Sequence, residues 1–162
     1  MPGSNISLFT ATLPKTLAAA TGSLIPNALS LMTESLHKPP AGVHHEFLRL
    51  NQSTTKLNLL VETLKKVKIT GNTNRVLVFC NTGLTAEAVY KDLAEKKFPV
   101  ILVAASRENE QLDKDMREFR DKETDTFMIA ICTDMASRGI DTTVVGQVIN
   151  YDFPFNVIDC KL

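Results

Sequence analysis

The sequence predicts an α/β fold: an open, doubly wound parallel sheet with helices on both faces. Three observations lead there. Residues 75–80 after the opening Arg75, 100–105 and 127–132 are continuous apolar runs with no polar alternation, as expected of strands covered on both faces. Between them lie amphipathic stretches with apolar residues at helical spacing. Polar, turn-rich loops follow the runs, and in such sheets ligands gather where loops leave the carboxyl ends of strands. Right-handed crossovers through the order strand, helix, strand, loop, strand over residues 98–152 complete a doubly wound sheet.

The elements follow in chain order. Residues 6–9 are a short β-like run, and Pro14 opens a helix at Lys15. Residues 13–42 are rich in Ala, Ser and Pro, with Pro26, Pro39 and Pro40 as breakers, and read as a helix, an extended piece and a connector. Residues 43–50 suit a strand at a sheet edge. His44 and His45 would point to opposite faces there and cannot share a metal. Residues 56–67 form an amphipathic helix with Leu57, Leu60, Val61, Leu64 and Val67 on one side and Lys65 and Lys66 on the other, followed by Lys68. The strand from Arg75 ends in Asn81 and Thr82, a carboxamide and a hydroxyl suited to a phosphate oxygen. Thr82 or Thr85 equally supplies the N-cap of the next helix, 84–97, and both roles can hold together. A buried strand over 100–105 precedes a helix over 110–120 with Leu112, Met116 and Phe119 inward. The strand at 127–132 then runs into a polar loop built from Thr133, Asp134, Ser137, Arg138 and Asp141 around Gly139. A glycine there lets backbone approach a ligand closely. A further strand begins at Val148.

Composition narrows the function. The chain has 162 residues, 44% of them apolar, and equal numbers of acidic and basic side chains. It therefore has no net positive field to draw in nucleic acid, and any such binding rests on a local set of donors. With no Trp and two Tyr, a base-stacking platform is disfavoured. Cys80, Cys132 and Cys160 lack metal-ligand spacing, and the first two fall in apolar strands; no metal ligands are expected. Free thiols fit a reducing intracellular compartment. Residues 1–33 have the acid-free, Ser/Thr/Ala-rich composition of an organelle transit peptide but no Arg, the first being Arg49. No apolar run approaches the ~20 residues that span a bilayer, so no membrane partner is expected. No GxxxxGK[ST] phosphate-binding loop occurs.

Several of these segments resemble the DEAD-box ATP-dependent RNA helicases. TDMASRGID at 133–141 matches motif V of that family, and VINYDFP at 148–154 the strand after it. VFCNT at 78–82 resembles motif IV, and Thr10-Ala11-Thr12 resembles motif III. Motif V in this form leans towards the RNA rather than the DNA group. The resemblance implies a RecA-like fold, incomplete at the C-terminus, because the chain stops at Leu162 where HRxGRxxR would soon follow. It divides the chain into the end of a first RecA-like domain (1–12), an interdomain linker (13–42) and a truncated second RecA-like domain (43–162). By the same resemblance Thr82, Thr133 and Gly139 contact RNA, and Arg138 reaches RNA or pairs with a carboxylate of its own loop. Asp141 accepts a hydrogen bond from the ATP ribose, and Thr10, Ala11 and Thr12 couple hydrolysis to unwinding. The chain departs from the family at Gly83-Leu84, where basic residues are common, and at Ala104-Ala105 and Leu112, where polar contacts to RNA are expected.

The complete parent would use ATP and Mg²⁺ and clamp RNA between two RecA-like domains. This chain, lacking the phosphate loop, the acidic motif and the arginines, is expected to have no catalytic residue, to hold neither cofactor alone and to hydrolyse no ATP. The partners implied are RNA and the N-terminal RecA-like domain. The competing reading is a non-catalytic, truncated RNA- or partner-binding module, or a degenerate fragment.

Overall fold

The structure, a computed structural model, describes residues 7–9, 15–25, 27–32, 42–103, 109–121, 126–133 and 143–153; the side chains of 15–18, 109, 111 and 112 are not among them. The chain separates into two compact units, one over residues 1–45 with Leu162 and the other over residues 46–161. In the first, helix α1 spans Lys15–Leu24, as the proline at position 14 predicts.

The second unit holds the sheet. Its elements are α2 (Lys56–Thr70), β1 (Arg75–Cys80), α3 (Gly83–Glu95), β2 (Val100–Val103), α4 (Asn109–Arg120), β3 (Met128–Thr133) and β4 (Gln147–Asn150). Helix α2 begins where the Thr55 side chain accepts the Asn58 N–H, and it ends at Gly71, whose φ of 63° is a left-handed conformation that glycine adopts without a Cβ penalty. Its buried face is Leu60, Val61, Leu64 and Val67, the stripe read from the sequence.

The four strands among the described residues are parallel and ordered β2-β3-β1-β4. Successive residues of each strand face opposite ways, and the core divides accordingly. Val76, Val78, Cys80, Ile129 and Ile131 pack with Leu64 of α2 and with Ala86, Val89 and Leu93 of α3. Leu77, Phe79, Met128, Ala130 and Cys132 pack on the other face with Met116 and Phe119 of α4. Every residue of β1 is buried, so its unbroken apolar run reflects cover on both sides. β4 crosses close to the turn before β1: a Cβ on Gly146 would lie 2.3 Å from the Thr73 hydroxyl oxygen. Only glycine fits without displacing Thr73.

One sequence expectation needs correction. Residues 43–50 form no strand; they carry no ladder pairing and are exposed throughout, Phe47 to 81%. Their apolar positions find no neighbouring strand among the described residues, and without one an extended segment gains nothing from its side chains. Strand β1 does open at Arg75, as the sequence predicts, and that side chain is 4% exposed with its donors engaged inside the fold. Among the described residues no helix is long and apolar enough to cross a membrane.

Candidate functional site

Strand order fixes where a ligand site would form. The connection from β1 through α3 leads past β3 to β2, while the connection from β3 leads the opposite way, past β1, to β4. α3 packs on one face, and Val144 and Val145, just before β4, pack on the other. Neighbouring strands whose connections leave in opposite directions open a crevice beyond their carboxyl ends. Here those strands are β1 and β3, paired so that Cys80 lies opposite Thr133.

Thr133 ends β3 half-buried at this edge. Thr82 follows β1 by two residues, is exposed, and caps α3: its hydroxyl oxygen accepts the Thr85 N–H at 3.1 Å. The Thr82 and Thr85 hydroxyls are also 2.9 Å apart. When Thr85 donates in that pair, the Thr82 proton is left to donate outward. The capping role and the ligand role inferred from the sequence are therefore compatible in one side chain. The Asn81 carboxamide, expected beside it as a phosphate donor, donates to the Phe153 carbonyl at 2.9 Å.

The residues that sequence reasoning passed over hold this edge together. Asp152 accepts the Asn81 N–H at 3.0 Å with one oxygen and the Lys56 ammonium at 2.5 Å with the other. Lys56 also lies over the Tyr151 ring, 4.7 Å from its centroid, a favourable cation–π position. The Tyr151 N–H donates to the Phe79 carbonyl at 2.9 Å, extending the β1–β4 ladder. Both Asn81 and Asp152 belong to the motif-like segments VFCNT and VINYDFP, but nothing in a single sequence shows that the two segments meet. Gly139, Arg138 and Asp141, and Thr10, Ala11 and Thr12, lie outside the described residues, so the site stands on Thr82 and Thr133 and their supports.

Cys80 sits directly below, 2% exposed. Burial pushes its thiol up to about 12 from 9.0, with Asp152 adding to the rise and Lys56 opposing it. Tyr151 is raised for the same first reason. A thiol held protonated is a poor nucleophile and metal ligand. Among the described residues no group of three His, Cys, Asp or Glu could hold a metal ion. The raised value has a consequence for stability. Above pH 9 the unfolded thiol releases its proton and the native one keeps it, so stability is full below pH 9 and falls as pH rises towards 12. Cys80 is expected to cost about 1.4 kcal/mol between pH 8 and pH 10. Urea unfolding of the natural chain and of Cys80→Ala at both pH values checks this, with the variant losing less by that amount.

The comparisons agree with the geometry. Residues 55–161 match the model of the helicase conserved C-terminal domain. The chain is 35% identical over 129 residues to DEAD-box ATP-dependent RNA helicase 39 of Arabidopsis thaliana, covering 80% of this chain and 20% of that protein. It is 29% identical over 151 residues to the ATP-dependent RNA helicase eIF4A of Lodderomyces elongisporus, covering 93% of this chain and 36% of the relative. The chain thus spans well under half the length of these relatives. A solved structure of an S. cerevisiae Dbp5 variant bound to RNA and ADP BeF3 superimposes with a TM-score of 0.74 at 23% identity, over 91% of this chain and 36% of that one. That likeness establishes the RecA-like fold. The chain belongs to the helicase conserved C-terminal domain family, as a C-terminal RecA-like domain of the DEAD-box RNA helicase type.

Proposed function

We propose that this chain supplies one wall of an RNA-binding cleft, gripping the sugar–phosphate backbone through short hydroxyls and backbone N–H groups at the carboxyl edge of its sheet. The observation that carries the reading is the pairing of Thr133 with Cys80, which brings the end of β3 beside the segment leading to Thr82 at the switch point. Hydroxyl and N–H donors on a fixed sheet edge suit a repeating phosphate backbone, because they need no base to read. Thr82 and Thr133 are the first two donors, with Gly139 and Arg138 completing the grip. Asp141 meets the ATP ribose. ATP, Mg²⁺, the facing N-terminal RecA-like domain and RNA-stimulated hydrolysis belong to this proposal for the complete protein, as does the coupling role of Thr10, Ala11 and Thr12. The domain division follows the same reading: the end of a first RecA-like domain to residue 12, a linker to 42, and the second domain from 43.

Binding to a 12-nucleotide single-stranded RNA tests the proposal. The chain is expected to bind with modest affinity that weakens as salt rises. Thr133→Val, which keeps the shape and removes the hydroxyl, is expected to weaken binding about tenfold or more, the worth of one hydrogen bond to a charged oxygen. Absence of binding at low salt, or an unchanged affinity in Thr133→Val, would sink the assignment.

A further inference from the structure

The neutral chain is electrically lopsided. Residues 56–97 hold eight Lys or Arg against four Asp or Glu, while residues 98–162 hold seven against twelve. The fold turns this into faces, because α2 and α3 cover one side of the sheet and α4 the other. On the basic side the charge gathers away from the strand-end site. α2 starts at Lys56 beside Asp152 and runs for 15 residues, roughly 22 Å at helical rise. Lys65, Lys66 and Lys68 therefore lie towards the amino ends of the strands. α3 leaves the carboxyl end of β1 and delivers Lys96 and Lys97 to that same far end, ahead of β2.

Lys65 and Lys96 meet across one shallow depression of about 430 Å³, whose lining includes Ser53, Thr54, Asn58 and Glu62. Among the described residues none of Lys65, Lys66, Lys68, Lys96 and Lys97 has a carboxylate within ion-pair distance. Ile69, three and four residues on from Lys66 and Lys65, is 84% exposed and shares their helix face.

We propose that this α2/α3 face docks an acidic segment of a partner protein, one that presents Asp and Glu side chains around an aliphatic or aromatic residue. Lysines without an ion pair supply the attraction, Lys68 resting over the Phe127 ring at 5.9 Å, and Ile69 supplies an apolar contact in their midst. Two features favour polypeptide over nucleic acid. An exposed isoleucine has no counterpart in a phosphate backbone. The patch also has lysines alone, without the arginine forks or stacking rings that hold nucleotides in place.

The test is a titration of the ¹⁵N-labelled chain, at physiological salt, with a 12-residue synthetic peptide of Asp, Glu and Ser around a central Leu-Phe pair. A 12-nucleotide single-stranded RNA is titrated in parallel. The peptide is expected to shift the amide resonances of Lys65, Lys66, Ile69 and Lys96. Its affinity should fall at least tenfold in Lys65→Glu/Lys66→Glu/Lys96→Glu and about threefold or more in Ile69→Ser, all at exposed positions. RNA binding is expected to be unchanged in Ile69→Ser. Three results would overturn the proposal: no peptide-induced shifts on this face, RNA shifting these same resonances, or an Ile69→Ser variant that binds the peptide as well as the natural chain. The last would reduce the patch to unspecific charge attraction.

Discussion

Replacing Arg75 by methionine is expected to lower the stability of the second unit by about 3 kcal/mol, seen as a lower urea midpoint with an unchanged slope. The side chain is 4% exposed at the first position of β1. Its Nε donates to the Phe119 carbonyl at 2.6 Å, Nη2 to the Asp121 carbonyl at 2.9 Å and Nη1 to the Asn74 carbonyl at 3.1 Å and to the Thr126 carbonyl. The Phe119 carbonyl is among the last of α4, which by helix geometry lack intrahelical donors, and Asp121 directly follows the end of the helix. One guanidinium thus closes the end of α4 and ties it both to β1 and to the segment entering β3. It also lies over the Phe119 ring, 5.9 Å from its centroid. Methionine keeps the apolar stem and removes every donor, leaving the buried Phe119 carbonyl and three part-buried carbonyls without this partner, which is what makes the loss large. Arg75→Lys is expected to recover part of it, since an ammonium cannot span the same fan of acceptors. A methionine variant within 1 kcal/mol of the natural chain would show that water replaces the guanidinium without cost.

Arg75 also marks the limit of what one sequence reveals. Strands β1, β2 and β3 were legible because burial on both faces leaves a mark no other element leaves, a run such as Val76 to Cys80 with no polar residue. Helix α2 was legible because Leu60, Val61, Leu64 and Val67 repeat at helical spacing and Thr55 and Gly71 punctuate its ends. An arginine before an apolar run carries no such mark. Its burial depends on carbonyls 44 to 51 residues away gathering around it, a matter of packing and not of local pattern. The stretch at 43–50 failed for the converse reason. Its alternation looked adequate for a strand, but a strand exists only with a partner. At the site, Thr82 and Thr133 were legible as hydroxyls at the ends of apolar runs. Their supports were not, because Lys56 and Asp152 are 96 residues apart in sequence.

Those supports lead to the second large effect. Asp152→Ala is expected to destabilise the second unit by about 2 kcal/mol and to weaken RNA binding severalfold beyond what lost stability explains. The carboxylate uses both oxygens, one for the Asn81 N–H and one for the Lys56 ammonium. The first contact fixes the residue immediately before Thr82, and the second anchors the first turn of α2 to the end of β4. With Lys56 45% and Asp152 18% exposed, the ion pair itself contributes ~1 kcal/mol or less. Most of the loss therefore comes from the unpaired backbone N–H at Asn81 and from the freedom given to the turn that carries Thr82. Lys56→Met separates the two, because it removes the ion pair and keeps the Asn81 contact. It is expected to cost no more than ~1 kcal/mol and to leave RNA affinity nearly intact. If both variants lose RNA affinity equally, the Lys56 charge itself meets the phosphate. If neither does, the strand-end turn holds its shape without Asp152, and the geometry of the grip lies in the backbone alone.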